Sequence, residues 1–139
     1  VLTAAPADGV SLFVGMGDKA GASVNTGTDL TTVGGTYTTG AITAGLQMTN
    51  LDVAAINGDS DRLHAAVSFA VNENVSVSFG MSTIEFDSSA KVDQEDSGFA
   101  VSYTMGSMTV AAFANNSDNV SGTNGTDDSV KEVSIAFAF

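Results

Sequence analysis

The sequence predicts an all-β fold, an antiparallel sheet of about eight strands rolled into a barrel or part of one. Three observations carry the prediction. Apolar residues recur with period two rather than 3.6. Tight turns alternate strictly with long connections, and the acids gather in and beside the long ones, leaving the middle of the strands almost uncharged.

The strands follow in order. In the first, Val10, Leu12, Val14 and Met16 share a face and Phe13 falls on the other. The second runs from about Leu30 to Thr38, with Val33 and Tyr37 among Thr and Gly. In the third, Ile42, Ala44, Leu46 and Met48 alternate with Thr43, Gly45 and Gln47. The fourth sets Leu63, Ala65, Val67, Phe69 and Val71 against His64, Ala66, Ser68 and Ala70; the fifth sets Val75, Val77, Phe79 and Met81 against Ser76, Ser78 and Gly80. The sixth alternates Phe99, Val101, Tyr103 and Met105 with Ala100, Ser102 and Thr104. The seventh reads Met108, Val110, Ala112, with Phe113 out of phase, as a bulge would leave it. The eighth alternates Val133, Ile135, Phe137 and Phe139 with Glu132, Ser134, Ala136 and Ala138. Each is roughly nine to eleven residues long, the length at which a tilted strand crosses a bilayer.

Thr38-Thr39-Gly40, Asn72-Glu73-Asn74 and Gly106-Ser107 read as tight hairpins. The intervening connections, about 17–29, 50–61, 86–97 and 115–130, are long and rich in Gly, Asn, Asp, Ser and Thr. Strict alternation puts all short turns at one end of the sheet and all long loops at the other, the asymmetry of outer-membrane barrels. Most of the sixteen acids follow the long connections: Asp18, Asp29, Asp52, Asp59, Asp61, Glu85, Asp87, Asp93, Glu95, Asp96, Asp118, Asp127 and Asp128. A soluble sandwich has no reason to keep charge off its solvent face, whereas a charge facing lipid at mid-depth costs about 2–4 kcal/mol. Tyr37, Phe69, Tyr103 and Phe139 lie near short turns or the chain end and read as an interfacial girdle.

Composition narrows the function classes. The 139 residues fit one domain, 1–139, and hold no cysteine for a disulfide or thiolate site. A formal charge of −12 argues against binding nucleic-acid phosphates. That charge coexists with a mean hydropathy of +0.19, so acids and apolar residues must be segregated. No apolar run approaches the ~20 residues of a spanning helix. The opening Val1-Leu2-Thr3 is not a signal peptide, and the chain reads as a mature protein or a fragment.

The face opposite the apolar one carries mostly Ala, Ser, Gly and Thr. Side chains must fill an eight-stranded barrel, and this set would leave it hollow. A barrel of about 16 strands has an aqueous lumen for which small polar linings are natural. The expectation is therefore that further strands lie upstream, with a closed eight-stranded barrel as the structural alternative.

The closing V-S-I-A-F-A-F (Val133–Phe139) resembles the terminal strand of outer-membrane β-barrels. The stretch Gly98–Val110, with the Asn/Asp/Gly-rich loop and last strand that follow, resembles the C-terminal strands of alphaproteobacterial general-diffusion porins. The resemblance covers Arg62 to Phe139 well and earlier strands only by pattern. It implies a C-terminal half of a 16-stranded, water-filled homotrimeric pore in the outer membrane of a Gram-negative bacterium, in contact with its lipid and lipopolysaccharide. It also implies that barrel-assembly machinery reads Val133, Ile135, Phe137 and Phe139. The chain departs from the family in its bases: Lys19, Arg62, Lys91 and Lys131 are all it has, and there is no arginine ladder. Either a basic wall lies outside this chain or the pore prefers cations.

The expected activity is passive diffusion of small hydrophilic solutes and ions. The expected lining is Thr43, Gln47, His64, Ser68, Ser76, Ser78, Ser102, Thr104 and Glu132, below an acidic, cation-gathering mouth. Asn57-Gly58-Asp59-Ser60-Asp61 begins like an EF-hand loop, but Arg62 and Ser68 stand where that loop needs Gly and an acid. Looser Ca²⁺ binding is open to Asp93, Glu95 and Asp96, with a solvated acidic rim as the plainer reading. His64, the lone histidine, reads as a lumen residue, and no nucleophile–base set has supporting context, so no enzyme is expected. Two other classes remain: a narrow structural or adhesive barrel whose loops bind outside partners, and a secreted β-sandwich or filament subunit.

Overall fold

The computed structural model describes residues 1–20, 27–55 and 58–138. They form a single nine-stranded antiparallel sheet in which each strand pairs with its sequence neighbours. The strands are β1 (Leu2–Ala7), β2 (Val10–Lys19), β3 (Thr28–Thr39), β4 (Ile42–Val53), β5 (Ser60–Ala70), β6 (Val75–Phe86), β7 (Gln94–Met105), β8 (Met108–Asp118) and β9 (Asp128–Phe137). The outer edges of β1 and β9 pair with no other described strand, so the sheet is open. A closed eight-stranded barrel is thus not what these residues form, and no second sheet packs on this one to make a sandwich.

All eight expected strands are present, and β1 is the ninth. It pairs with β2 through the turn Asp8-Gly9. Pro6 sits where the register shifts between Ala4 and Ala7, at the sheet edge, where a residue without an N–H costs no ladder bond. The other short turns are Gly40-Ala41, residues 71–74 and Gly106-Ser107. Gly40 and Gly106 adopt φ of +56° and +60°, which only glycine takes without strain. In the 71–74 turn the Asn72 side-chain oxygen accepts from the backbone N–H groups of Asn74 and Val75, both at 2.9 Å. The short turns all lie at one end and the long connections at the other.

Those long connections are shorter than expected. β2–β9 run for 10 to 12 residues, and strand pairing absorbs Asp18, Asp29, Asp52, Asp61, Glu85, Glu95, Asp96, Asp118 and Asp128. Cross-strand pairs satisfy the backbone better than open loop does, and the ladder extends until the chain must turn.

The pairing from β2 to β9 is in continuous register, so two faces can be read across it. One carries Val14–Val33–Met48–Leu63 in a lateral row and Val67–Phe79–Phe99 in another. Tyr37, Phe69, Tyr103 and Phe137 lie on this apolar face near the short turns; Phe139 falls outside the described residues. The opposite face carries the small and polar residues. Phe13 and Phe113 belong to it with no bulge: Phe13 pairs with Gly34 and Phe113 with Ala100. The Phe13 ring lies where a Cβ on Gly34 would come within 2.6 Å of it, so the glycine gives the ring its seat.

No hydrophobic side chain is buried among the described residues. The accessible surface is 9340 Å², against about 6,700 Å² for a compact chain of 14.0 kDa. Leu46, Phe99 and Met81 are 52, 51 and 55% exposed although they sit mid-strand. This is a wall with a greasy side, not a domain with a core.

Candidate functional site

In β4 the polar face is the more shielded of the two. Along β4, Ile42, Ala44, Leu46, Met48 and Asn50 are exposed while Thr43, Gly45, Gln47, Thr49 and Leu51 are half-buried. A groove of about 510 Å³ runs along this face, lined by His64, Ser78, Ser82, Asp96, Asn115 and Ser117 among others.

The nine residues expected to line a lumen all lie on this face. Thr43, Ser68 and Ser78 form one lateral row that continues through Ala100 and Phe113 to Glu132. Gln47 and His64 begin a second, through Ser82, Asp96 and Ser117 to Asp128. Ser76 faces Ser102, and Thr104 faces Thr109, nearer the short turns.

The hydroxyls bond to one another across strands: Thr38 to Thr43 at 2.9 Å, Thr32 to Thr49 at 3.1 Å, Ser76 to Ser102 at 2.8 Å and Thr104 to Thr109 at 3.0 Å. Such pairs stabilise a ladder modestly and keep spare lone pairs for water. Asp96 is the best-held charge. It accepts from Ser82 Oγ at 2.8 Å and from Gln94 Nε2 at 2.9 and 3.2 Å. These donors fix the carboxylate in the groove.

The possible Ca²⁺ ligands are not brought together. Strand alternation puts Glu95 and Asp96 on opposite faces, and Asp93 lies in the preceding connection, where its carbonyl accepts from Asn119 Nδ2 at 3.1 Å. Among the described residues no three acidic, His or Cys side chains converge as a metal site. Of the EF-hand-like stretch, Asn57 lies outside the described residues, and Asp59 instead accepts the Val53 N–H at 2.8 Å.

The resemblance to an assembly signal rests on β9. Val133, Ile135 and Phe137 stand in a row on the apolar face, 71, 59 and 58% exposed, on a strand with one unpaired edge.

In β4, β5 and β6, over the residues next to the long loops, the two faces exchange character. On the otherwise apolar face stand Asn50, Asp52, Asp61 and Glu85; on the otherwise polar face stand Leu51, Val53, Ile84 and Phe86. Ser60, between Leu51 and Phe86, is 6% exposed. The loops 87–93 and 119–127 join here, Val92 N–H donating to the Gly122 carbonyl at 3.1 Å and Ser121 N–H to Gln94 Oε1 at 2.8 Å. The signal was present in sequence as Leu51-Asp52-Val53 and Ile84-Glu85-Phe86, each in phase with its strand but with polarity reversed.

No family model, curated protein or solved structure matches this chain.

Proposed function

We propose that this sheet is part of the wall of a transmembrane β-barrel in a Gram-negative outer membrane. Its apolar face meets lipid, and its polar face lines a water-filled channel for passive diffusion of small hydrophilic solutes and ions. The observation that carries the reading is the continuous register that gathers Leu46, Met48, Val67, Phe69, Phe79, Met81 and Phe99, all exposed, on one face and small, mostly polar residues on the other. A soluble monomer rarely exposes an apolar patch beyond a few hundred Å². Lipid tails satisfy such a surface without any protein partner.

The polarity exchange at the loop end supports the same reading. Above the lipid boundary the outer surface meets water and accepts Asp52, Asp61 and Glu85, while the inner surface gains apolar packing under the loops. The apolar stretch Ile42–Met48 covers about 20 Å of strand, and the acids stand beyond it. Tyr37, Phe69, Tyr103 and Phe137 then form the short-turn girdle.

In this proposal Thr43, Gln47, His64, Ser68, Ser76, Ser78, Ser102, Thr104 and Glu132 line the channel, and the acidic loops enrich cations at its mouth. The open edges of β1 and β9 are completed by further strands of a porin-like barrel, in the homotrimer that the resemblance implies. The β9 side chains Val133, Ile135 and Phe137 present the assembly signal.

Planar-bilayer recording from the full-length protein carrying these residues tests this. Stepwise conductance with a reversal potential on the cation side is expected. A detergent-free soluble protein without conductance contradicts it.

A further inference from the structure

Lys91 is one of four bases in a chain of charge −12 and stands in the loop 87–93. Its Nζ lies 4.2 Å from the centroid of the Phe86 ring. Phe86 projects from the channel-facing side of β6, in register with Ser60. A lysine is ordinarily a roaming point charge on a flexible stem, and three features hold this one. The Phe86 ring attracts the ammonium. Lys91 N–H donates to the Ser88 carbonyl at 2.9 Å and fixes the loop backbone. The stem packs against Gly122, where a Cβ would stand 2.9 Å from Lys91 Cβ, Lys91 Cδ and Phe86 Cδ2.

Gly122 is required there twice over: by that absence of space, and by φ of +75°. Asn119 and Ser121 also adopt positive φ, 56° and 59°, a conformation uncommon for residues with a side chain. The 119–127 loop is thus bent to deliver a bare backbone to Lys91.

We propose that Lys91 is a selectivity-determining residue of the channel, a positive charge pinned over Phe86 within the acidic loop 87–93, which attracts anions locally and limits the cation preference the acids impose. This rests on the channel reading. Lys131 provides the matched comparison. It carries the same charge but pairs with Ala114 on the other face of the sheet.

The test is the reversal potential of the full-length protein in planar bilayers under a potassium chloride gradient. Lys91→Met is expected to raise the cation-to-anion permeability ratio by roughly threefold or more, because losing the positive charge favours cations and disfavours anions together, less so as salt rises. Lys91→Arg keeps the charge and the ring contact and reads as wild type. Gly122→Val displaces Lys91 without changing net charge and shifts the ratio the same way by less. Lys131→Met shifts it far less than Lys91→Met. Equal shifts in Lys91→Met and Lys131→Met, or none in either, overturn this assignment while leaving the channel intact. A wild-type protein that does not conduct overturns the channel reading itself.

Discussion

Strand β6 holds two environments within twelve residues. In its middle, Phe79 faces outward, 43% exposed, and Ser78 faces the groove. At its loop end the order is reversed, with Glu85 outward and Phe86 half-buried inward. The backbone alternation is the same throughout, so the reversal reflects a change in what lies on either side. On the proposed reading the outside accepts grease and the inside water mid-strand; six residues on, the outside accepts charge and the inside accepts loops. A soluble two-layer sheet has one outside along its whole length and no cause for such a reversal. A wall that rises out of a bilayer has one.

The largest expected effect comes from putting charge into the outward middle. Phe79→Arg is expected to destabilise the protein folded into lipid vesicles by about 2–4 kcal/mol, read as a lowered urea midpoint. Glu85→Arg, on the same face of the same strand, is expected to stay within about 0.5 kcal/mol. Equal losses at the two positions would erase the distinction between middle and end.

A smaller effect is expected inside the loop end. Phe86→Ala removes the ring that covers Ser60 and holds Lys91, and a half-buried aromatic is worth about 1–2 kcal/mol. The same urea titration checks it, and faster proteolysis at 87–93 should accompany it. The smallest effect belongs to the polar face near the short turns. Ser76→Ala breaks the 2.8 Å bond to Ser102, but the bond lies open to solvent and water replaces the lost partner. The expected change is below about 0.5 kcal/mol in the urea midpoint.

The middle of the sheet was legible in the sequence and its ends were not. Period two fixed the faces because one-residue slips would turn whole strands inside out. That is why Thr43, Ser68 and Ser78 were assigned to one face from spacing alone. Phe13 and Phe113 looked like phase errors because a large ring on a small-residue face breaks the pattern. The seat at Gly34, a cross-strand contact, explains Phe13, and no local reading contains it. β1 was missed because its Ala and Pro6 carry little strand propensity, although Asp8-Gly9 was a hairpin signal in plain view. The acids at strand ends read as loop in the sequence, because periodicity alone does not register a change of surroundings along a strand. The Lys91–Phe86–Gly122 contact joins residues whose proximity depends on two loops meeting, which periodicity does not encode.

The central claim is that odd-numbered residues of β6 from Val77 to Met81 face lipid and their even-numbered neighbours face water. A nitroxide scan of residues 76 to 86 in lipid vesicles, read by relaxation with oxygen and with a polar nickel complex, tests it most directly. Labels at Val77, Phe79 and Met81 should respond to oxygen and not to nickel, those at Ser76, Ser78 and Gly80 to nickel, and the pattern should break at Glu85, which should be open to nickel. Labels at Val77, Phe79 and Met81 that are immobile and closed to both reagents would mean protein packs on that face, and the membrane account would be wrong.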